Sequence, residues 1–160
     1  IGDVVDAGRW LKSQGIAAPD KLGIVGWSYG GYAALQSSVL DPDLFKGIVA
    51  IAPVTDLEQL RSEARDFVNF PLVDAYIGEG PAQNVTRIKA PVLMFHGDRD
   101  QNVKITESRL MLGKLQGAGK QVQLVEFPGL KHNLADSAAR TRMLLESDQF
   151  LRKAMSLPAN

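Results

Sequence analysis

Cysteine is absent from all 160 residues, and histidine occurs only twice, at His96 and His132. The first absence removes disulfides, thiolate metal sites, iron–sulfur clusters and cysteine nucleophiles together. It fits a reducing compartment, and the cytoplasm is the expected location. The scarcity of histidine leaves only two imidazoles for general-base work. Charge of one sign is lacking too: 18 Lys and Arg face 18 Asp and Glu, so neither nucleic acid nor an anionic membrane surface is an expected partner. Long apolar runs are missing, since Gly47 to Val54 falls far short of the ~18 residues of a spanning helix, and no membrane span is expected. There is no internal repeat, low-complexity tract or Pro/Ser-rich linker. The chain opens on Ile1 with neither an initiator methionine nor a signal-peptide pattern, so a piece of a longer polypeptide is expected. What is present is ordinary globular composition, 45% apolar and 22% charged, which argues against disorder, collagen and coiled coil. The length suits one domain.

Hydrophobic patterning alternates between two periods. Asp3 to Gln14 places Val4, Gly8 and Leu11 at helical spacing and stops at Gly15, a C-terminal glycine. Leu22 to Trp27 is a short continuous apolar run, the pattern of a strand buried on both faces of a parallel sheet. A helix from Tyr29 to Leu40 ends at Asp41-Pro42, and Gly47 to Ala52 is a second buried strand. Residues 55 to 80 hold six acids (Asp56, Glu58, Glu63, Asp66, Asp74, Glu79) and Pro71, with irregular apolar spacing; this is expected to be a helical excursion outside the core. Pro91 to Phe95 is a third buried strand. A helix from Val103 to Gln116 turns Ile105, Ser108, Leu112 and Leu115 to one face and closes at Gly117. Gln121 to Phe127 is a more polar strand, as near a sheet edge. The last helix, Ser137 to Met155, is expected to bury Met143, Leu144, Phe150, Leu151 and Ala154 on one stripe. Strands alternating with helices in this way predict a parallel, three-layer α/β domain.

Gly26-Trp27-Ser28-Tyr29-Gly30 is a G-x-S-x-G sequence where a buried strand breaks directly into a helix, the position of a nucleophile elbow. The glycines allow a tight turn, and the helix aims its N-terminal N–H groups at any oxyanion formed on Ser28. The plainer reading is a Gly-rich turn in which the Ser28 hydroxyl caps the helix. A serine needs a base, and in proteins built around this elbow the order along the chain is serine, acid, histidine. Only His132 lies beyond the final strand, in the loop Pro128 to Asn133, so it is the candidate base. Asp98 and Asp100 both follow the third strand, and spacing does not separate them. Asp136 suits an N-cap of the last helix. His96, Asp98 and Asp100 alternate, which allows a metal-binding reading.

Taken together, Gly26 to Gly31, Ala52-Pro53-Val54 after the next strand, Pro91-Val92-Leu93 leading into His96-Gly97, the run Asp100-Gln101-Asn102-Val103, and His132 in the late loop resemble the catalytic domain of the prolyl oligopeptidase family of serine peptidases. The resemblance covers nearly the whole chain. It implies the α/β-hydrolase fold, of which residues 1–160 supply the C-terminal half of a mostly parallel sheet flanked by helices. It further implies a peptidase that cleaves short peptides through an acyl-enzyme, in a family that includes dipeptidyl aminopeptidases and acylaminoacyl peptidases. By the same resemblance Ser28 is the nucleophile, Asp100 rather than Asp98 the acid, His132 the base, and the Tyr29 backbone N–H an oxyanion donor. Tyr29, Val54, Leu57 and Val103 then surround the pocket for the side chain before the scissile bond. Asn102 falls where some members hold the carbonyl of the preceding residue. No metal and no cofactor is implied. A carboxylesterase of the same fold and a non-catalytic half-domain that self-associates are the alternatives. The family's early strands, its upstream tyrosine hydroxyl as second oxyanion donor and its β-propeller have no counterpart in these residues, and the segment Ile77 to Ala82 is shorter than its members carry.

Leu22 to Trp27 is apolar on both faces, yet no strand pattern precedes it to pair with one of its sides. If the chain is complete, a homodimer or higher oligomer paired along Leu22 to Trp27 is expected. If it is part of a longer polypeptide, strands of that polypeptide are expected to fill the same place.

Overall fold

The computed structural model describes residues 1–63 and 76–158. It is an α/β fold of four parallel strands, β1 (Ile24–Trp27), β2 (Ile48–Ile51), β3 (Val92–Gly97) and β4 (Val122–Phe127), lying side by side in chain order. Five α-helices accompany them among the described residues: α1 (Gly2–Ser13), α2 (Tyr29–Leu40), α3 (Leu57–Glu63), α4 (Ile105–Gly117) and α5 (Ser137–Ala154), with a 3-10 turn at Val85–Arg87. The part of the acidic excursion that contains Asp66, Pro71 and Asp74 lies outside the described residues.

The period of two along the strands divides the core. Ile48, Ala50, Val92 and Met94 pack with Ala34, Leu35 and Val39 of α2 and Met111 and Leu115 of α4. Their neighbours Val49, Ile51, Leu93, Phe95, Val125 and Phe127 pack with Met143 of α5, with Trp27, Phe150 and Leu151 against them. β2 and β3, buried at every position, are therefore sandwiched between helices, as the inner strands of a parallel sheet require. Helix α2 is buried over most of its circumference, which is why its sequence carries no polar stripe.

Several expectations are corrected. On α1 it is Val5, 4% exposed, and not Val4 that enters the core. On α5 Leu144 is 65% exposed, because Met143, Ser147, Phe150, Leu151 and Ala154 follow the 3.6-residue stripe and Leu144 lies one step off it. Helix α4 starts at Ile105 rather than Val103 because the Asp100 side chain binds the Asn102 and Val103 N–H groups in a turn. The turn after α4 is made at Gly119, φ +68°, and not at Gly117. The first strand is shorter than Leu22–Trp27 and is not buried on both faces: β1 is an edge of the described sheet and Val25 is 54% exposed. Among the described residues no helix is long and apolar enough to cross a membrane.

Candidate active site

The functional loops all leave the sheet at the C-terminal ends of its strands, and the ladder brings them out at one level. Ser28 N–H donates to Ile51 O (2.8 Å), Ala52 N–H to Phe95 O (2.7 Å) and Asp98 N–H to Phe127 O (3.2 Å). Each loop thus begins fixed to the end of the neighbouring strand.

Ser28 sits between β1 and α2 with φ +58° and ψ −120°, a backbone conformation that costs a non-glycine residue about 1–3 kcal/mol. Its side chain makes no capping hydrogen bond, so the hydroxyl is not consumed by the helix start. The flanking glycines allow the turn by close approach. A Cβ on Gly26 would lie 1.9 Å from Gly30 O, and one on Gly31 would lie 2.8 Å from Pro53 Cβ, whereas one on Gly30 would meet nothing within 4 Å. Gly26 is the glycine that the elbow cannot exchange.

His132 lies in the loop after β4, partly buried. Its Nδ1 is 2.6 Å from Asp100 Oδ2. The carboxylate has no exposed side-chain surface, and Oδ1 accepts from Asn102 N–H (2.8 Å) and Val103 N–H (3.0 Å). Burial alone would raise this carboxyl, but donation from His96, Val103, His132 and Asn102 outweighs it and holds Asp100 below the ordinary carboxylate range. An acceptor at Nδ1 fixes the His132 tautomer with its proton there, leaving Nε2 free to accept one.

Asp98 is placed differently. It is exposed, and its Oδ1 accepts from Gly129 N–H at 2.6 Å, while Arg99 N–H donates to Leu130 O at 2.9 Å. The β3 and β4 loops are stitched together there. A Cβ on Gly97 would lie 2.4 Å from Leu130 O, so the crossing is tight. His96, Asp98 and Asp100 therefore do not converge, and the described residues contain no group of three or more His, Asp or Glu side chains that could hold a metal. Asp136 caps α5 through Ala139 N–H at 2.7 Å.

Val54, Leu57 and Val103 come together with Tyr32 and Leu60 in one buried apolar cluster. Tyr29 is not part of that cluster. It is 65% exposed and stacks on the Tyr32 ring at 5.6 Å. Asn102 is exposed, with its backbone committed to Asp100. A concavity of about 670 Å³ opens at the opposite, N-terminal ends of β3 and β4, between Val92, Val122, Phe150 and Lys153, and contributes nothing to the Ser28 loop.

Sequence reasoning missed one buried carboxylate, bonded to the chain between Val54 and Leu57. Glu107 on α4 is fully buried and its Oε2 accepts from Thr55 N–H, Thr55 Oγ1–H and Asp56 N–H, each at 2.8 Å. Burial, opposed by these bonds, pushes its carboxyl up to about 7. Ser108, also fully buried, bonds His96. Its place among apolar residues at helical spacing was the available signal.

The family profile described as "Prolyl oligopeptidase family" matches residues 1–157. The dipeptidyl aminopeptidase BIII of Pseudoxanthomonas mexicana is 31% identical over 148 residues, 83% of this chain and 22% of that protein. Pig (Sus scrofa) dipeptidyl peptidase 4 is 26% identical over 166 residues, 99% of this chain and 21% of that protein. Among solved structures, a Mycobacterium tuberculosis puromycin-hydrolyzing peptidase superposes with a TM-score of 0.89 at 24% identity, covering 98% of this chain and 25% of that one. An acylaminoacyl peptidase superposes with a TM-score of 0.79 at 21% identity, covering 95% and 27%. The chain thus spans about a fifth to a quarter of the length of these relatives. The fold is that of the α/β-hydrolase peptidases, and the chain belongs to the prolyl oligopeptidase family.

Proposed function

We propose that the protein is a serine peptidase in which Ser28, His132 and Asp100 act as one unit. The observation that carries this reading is the strained Ser28 at the β1–α2 turn together with the partly buried 2.6 Å bond between His132 and Asp100 in loops from the same end of the sheet. His132 Nε2 takes the Ser28 hydroxyl proton as Oγ attacks the scissile carbonyl. Asp100 keeps the Nδ1–H tautomer and stabilises the imidazolium that forms. The Tyr29 N–H, at the start of α2, donates to the oxyanion, aided by the positive end of the helix dipole. Collapse of the tetrahedral adduct breaks the C–N bond and passes the His132 proton to the leaving amine. Water then attacks the Ser28 acyl-enzyme by the same route in reverse.

Short peptides are the proposed substrates, since the relatives carry dipeptidyl peptidase names. Val54, Leu57 and Val103 are apolar and bring no charge to this part of the chain, so an apolar residue before the scissile bond should be preferred. A substrate panel favouring Lys or Glu there would overturn that pocket. Ser28→Ala, His132→Ala and Asp100→Asn should each lower kcat by roughly 10⁴ or more in the full-length protein, and Asp98→Asn by little. If Asp98→Asn were the damaging change, the acid would be misassigned.

A second reading, of partners, comes from β1. Its outer edge is unpaired among the described residues and half-exposed Val25 makes it a poor native edge. We propose that further strands of the polypeptide or a second copy pair with it. Hydrogen exchange as fast along Ile24–Trp27 as in an open loop, in the full-length protein, would contradict this.

A further inference from the structure

We infer that His96 and Ser108 are positioning residues for Asp100, an inference that rests on the serine-peptidase reading above. His96 ends the buried run of β3 and is itself fully buried. Its Nε2 is 2.9 Å from Val103 O and 3.3 Å from Asp100 Oδ2, and its Nδ1 is 2.7 Å from Ser108 Oγ. The Val103 carbonyl can only accept, so Nε2 carries a hydrogen. In the neutral ring Nδ1 is then the acceptor, and the Ser108 hydroxyl must donate to it. The Val103 carbonyl therefore selects the His96 tautomer, and the Ser108 hydroxyl, donating to Nδ1, satisfies the ring in that tautomer and holds it in place.

The selected N–H donates to Val103 O and lies 3.3 Å from Asp100 Oδ2, the oxygen that also bonds His132 Nδ1. Asp100 thus accepts from two N–H groups on Oδ1 and from His132 on Oδ2, with the His96 N–H 3.3 Å from that same oxygen. In the opposite tautomer a nitrogen lone pair would face both the Val103 carbonyl and the carboxylate, and Asp100 would have to turn away from it. A merely structural histidine would be satisfied by Ser108 and Val103 alone. The contact with Oδ2 adds a role at the site.

Other ionisable groups nearby have partners elsewhere. Glu126 on β4, which feels the His96 ring, is bidentate to Arg109 at 2.7 and 2.8 Å. Asp98 is turned to Gly129, and Glu107, beside Ser108, is turned to Thr55 and Asp56. Among the described residues only the two imidazoles approach Asp100 Oδ2 in this way.

The test is steady-state kinetics across pH on the full-length protein with Ser108→Ala and His96→Gln, beside Asp100→Asn. Both positioning variants should lower kcat about 10-fold, the factor that one ordinary hydrogen bond lost at the site amounts to, with KM unchanged within twofold. The acid limb of kcat/KM should move to higher pH, because a carboxylate that loses a donor concentrates its charge on His132. A kcat within twofold of the parent and an unmoved acid limb in Ser108→Ala, while Asp100→Asn is inactive, would overturn the inference and leave the serine-peptidase reading standing. Full activity of Asp100→Asn would overturn both. Ser108→Ala removes one hydroxyl only and decides the matter if His96→Gln fails to fold.

Discussion

The indole N–H of Trp27 donates to the backbone carbonyl of His132 at 3.1 Å. Trp27 directly precedes Ser28, and β1 lies three strands away from β4, so this one bond draws the His132 loop back across the sheet to the elbow. Trp27→Phe keeps the apolar ring and removes only the donor. We expect a stability loss of about 1 kcal/mol and a several-fold lower kcat. Unchanged kcat together with lowered Tm would mean that the anchor serves folding alone.

The elbow makes its own prediction about stability. Ser28 holds φ +58°, which glycine adopts without a Cβ penalty. Ser28→Gly should therefore be inactive yet unfold at a higher temperature than Ser28→Ala, which keeps the strain. Gly26→Ala, with its Cβ forced to 1.9 Å from Gly30 O, should fail to build the elbow, whereas Gly30→Ala should be tolerated. Equal Tm for Ser28→Gly and Ser28→Ala would show that the turn stores no strain.

Glu107 sets a pH dependence of opposite sign to that of Asp100. Its carboxyl is raised from 4.5 to about 7 in the fold, so between those values the folded protein binds a proton that the unfolded chain has released. Its contribution to stability is best below pH 4.5 and declines as pH rises through 7, by about 3 kcal/mol at ~1.4 kcal/mol per pH unit. Asp100 is lowered, and the stability it adds is lost as pH falls through and below the ordinary carboxylate range. Thermal unfolding of the full-length protein and of Glu107→Gln from pH 4.5 to 8 checks this: the variant should lose less stability over that span, and parallel curves would refute it.

What was legible in the sequence depended on whether one residue's pattern was enough. Strands such as Pro91–Phe95 could be read because burial on both faces demands apolar residues at every position, and the turn at Ser28 because glycines flank a strand that breaks directly into a helix. Asp100 and Asp98 could not be told apart by spacing, since which one meets His132 depends on a turn that binds the Asn102 and Val103 N–H groups. Resemblance to the family made that choice, and the geometry places Asp100 against His132. Leu144 misled because helical spacing admits two neighbouring stripes and only the packed helix selects one. Glu107 escaped notice because its partner Thr55 lies 52 residues away in the sequence, and the helical spacing that put Ser108 on the inner face could not show its bond to His96, 12 residues away.

The most direct measurement is fluorophosphonate labelling of the full-length protein, with the modified residue located by mass spectrometry. The account predicts stoichiometric modification of Ser28, slowed by orders of magnitude in His132→Ala and Asp100→Asn because the hydroxyl then lacks its base. Modification at another residue, or Ser28 labelling at the parental rate in both variants, would contradict it.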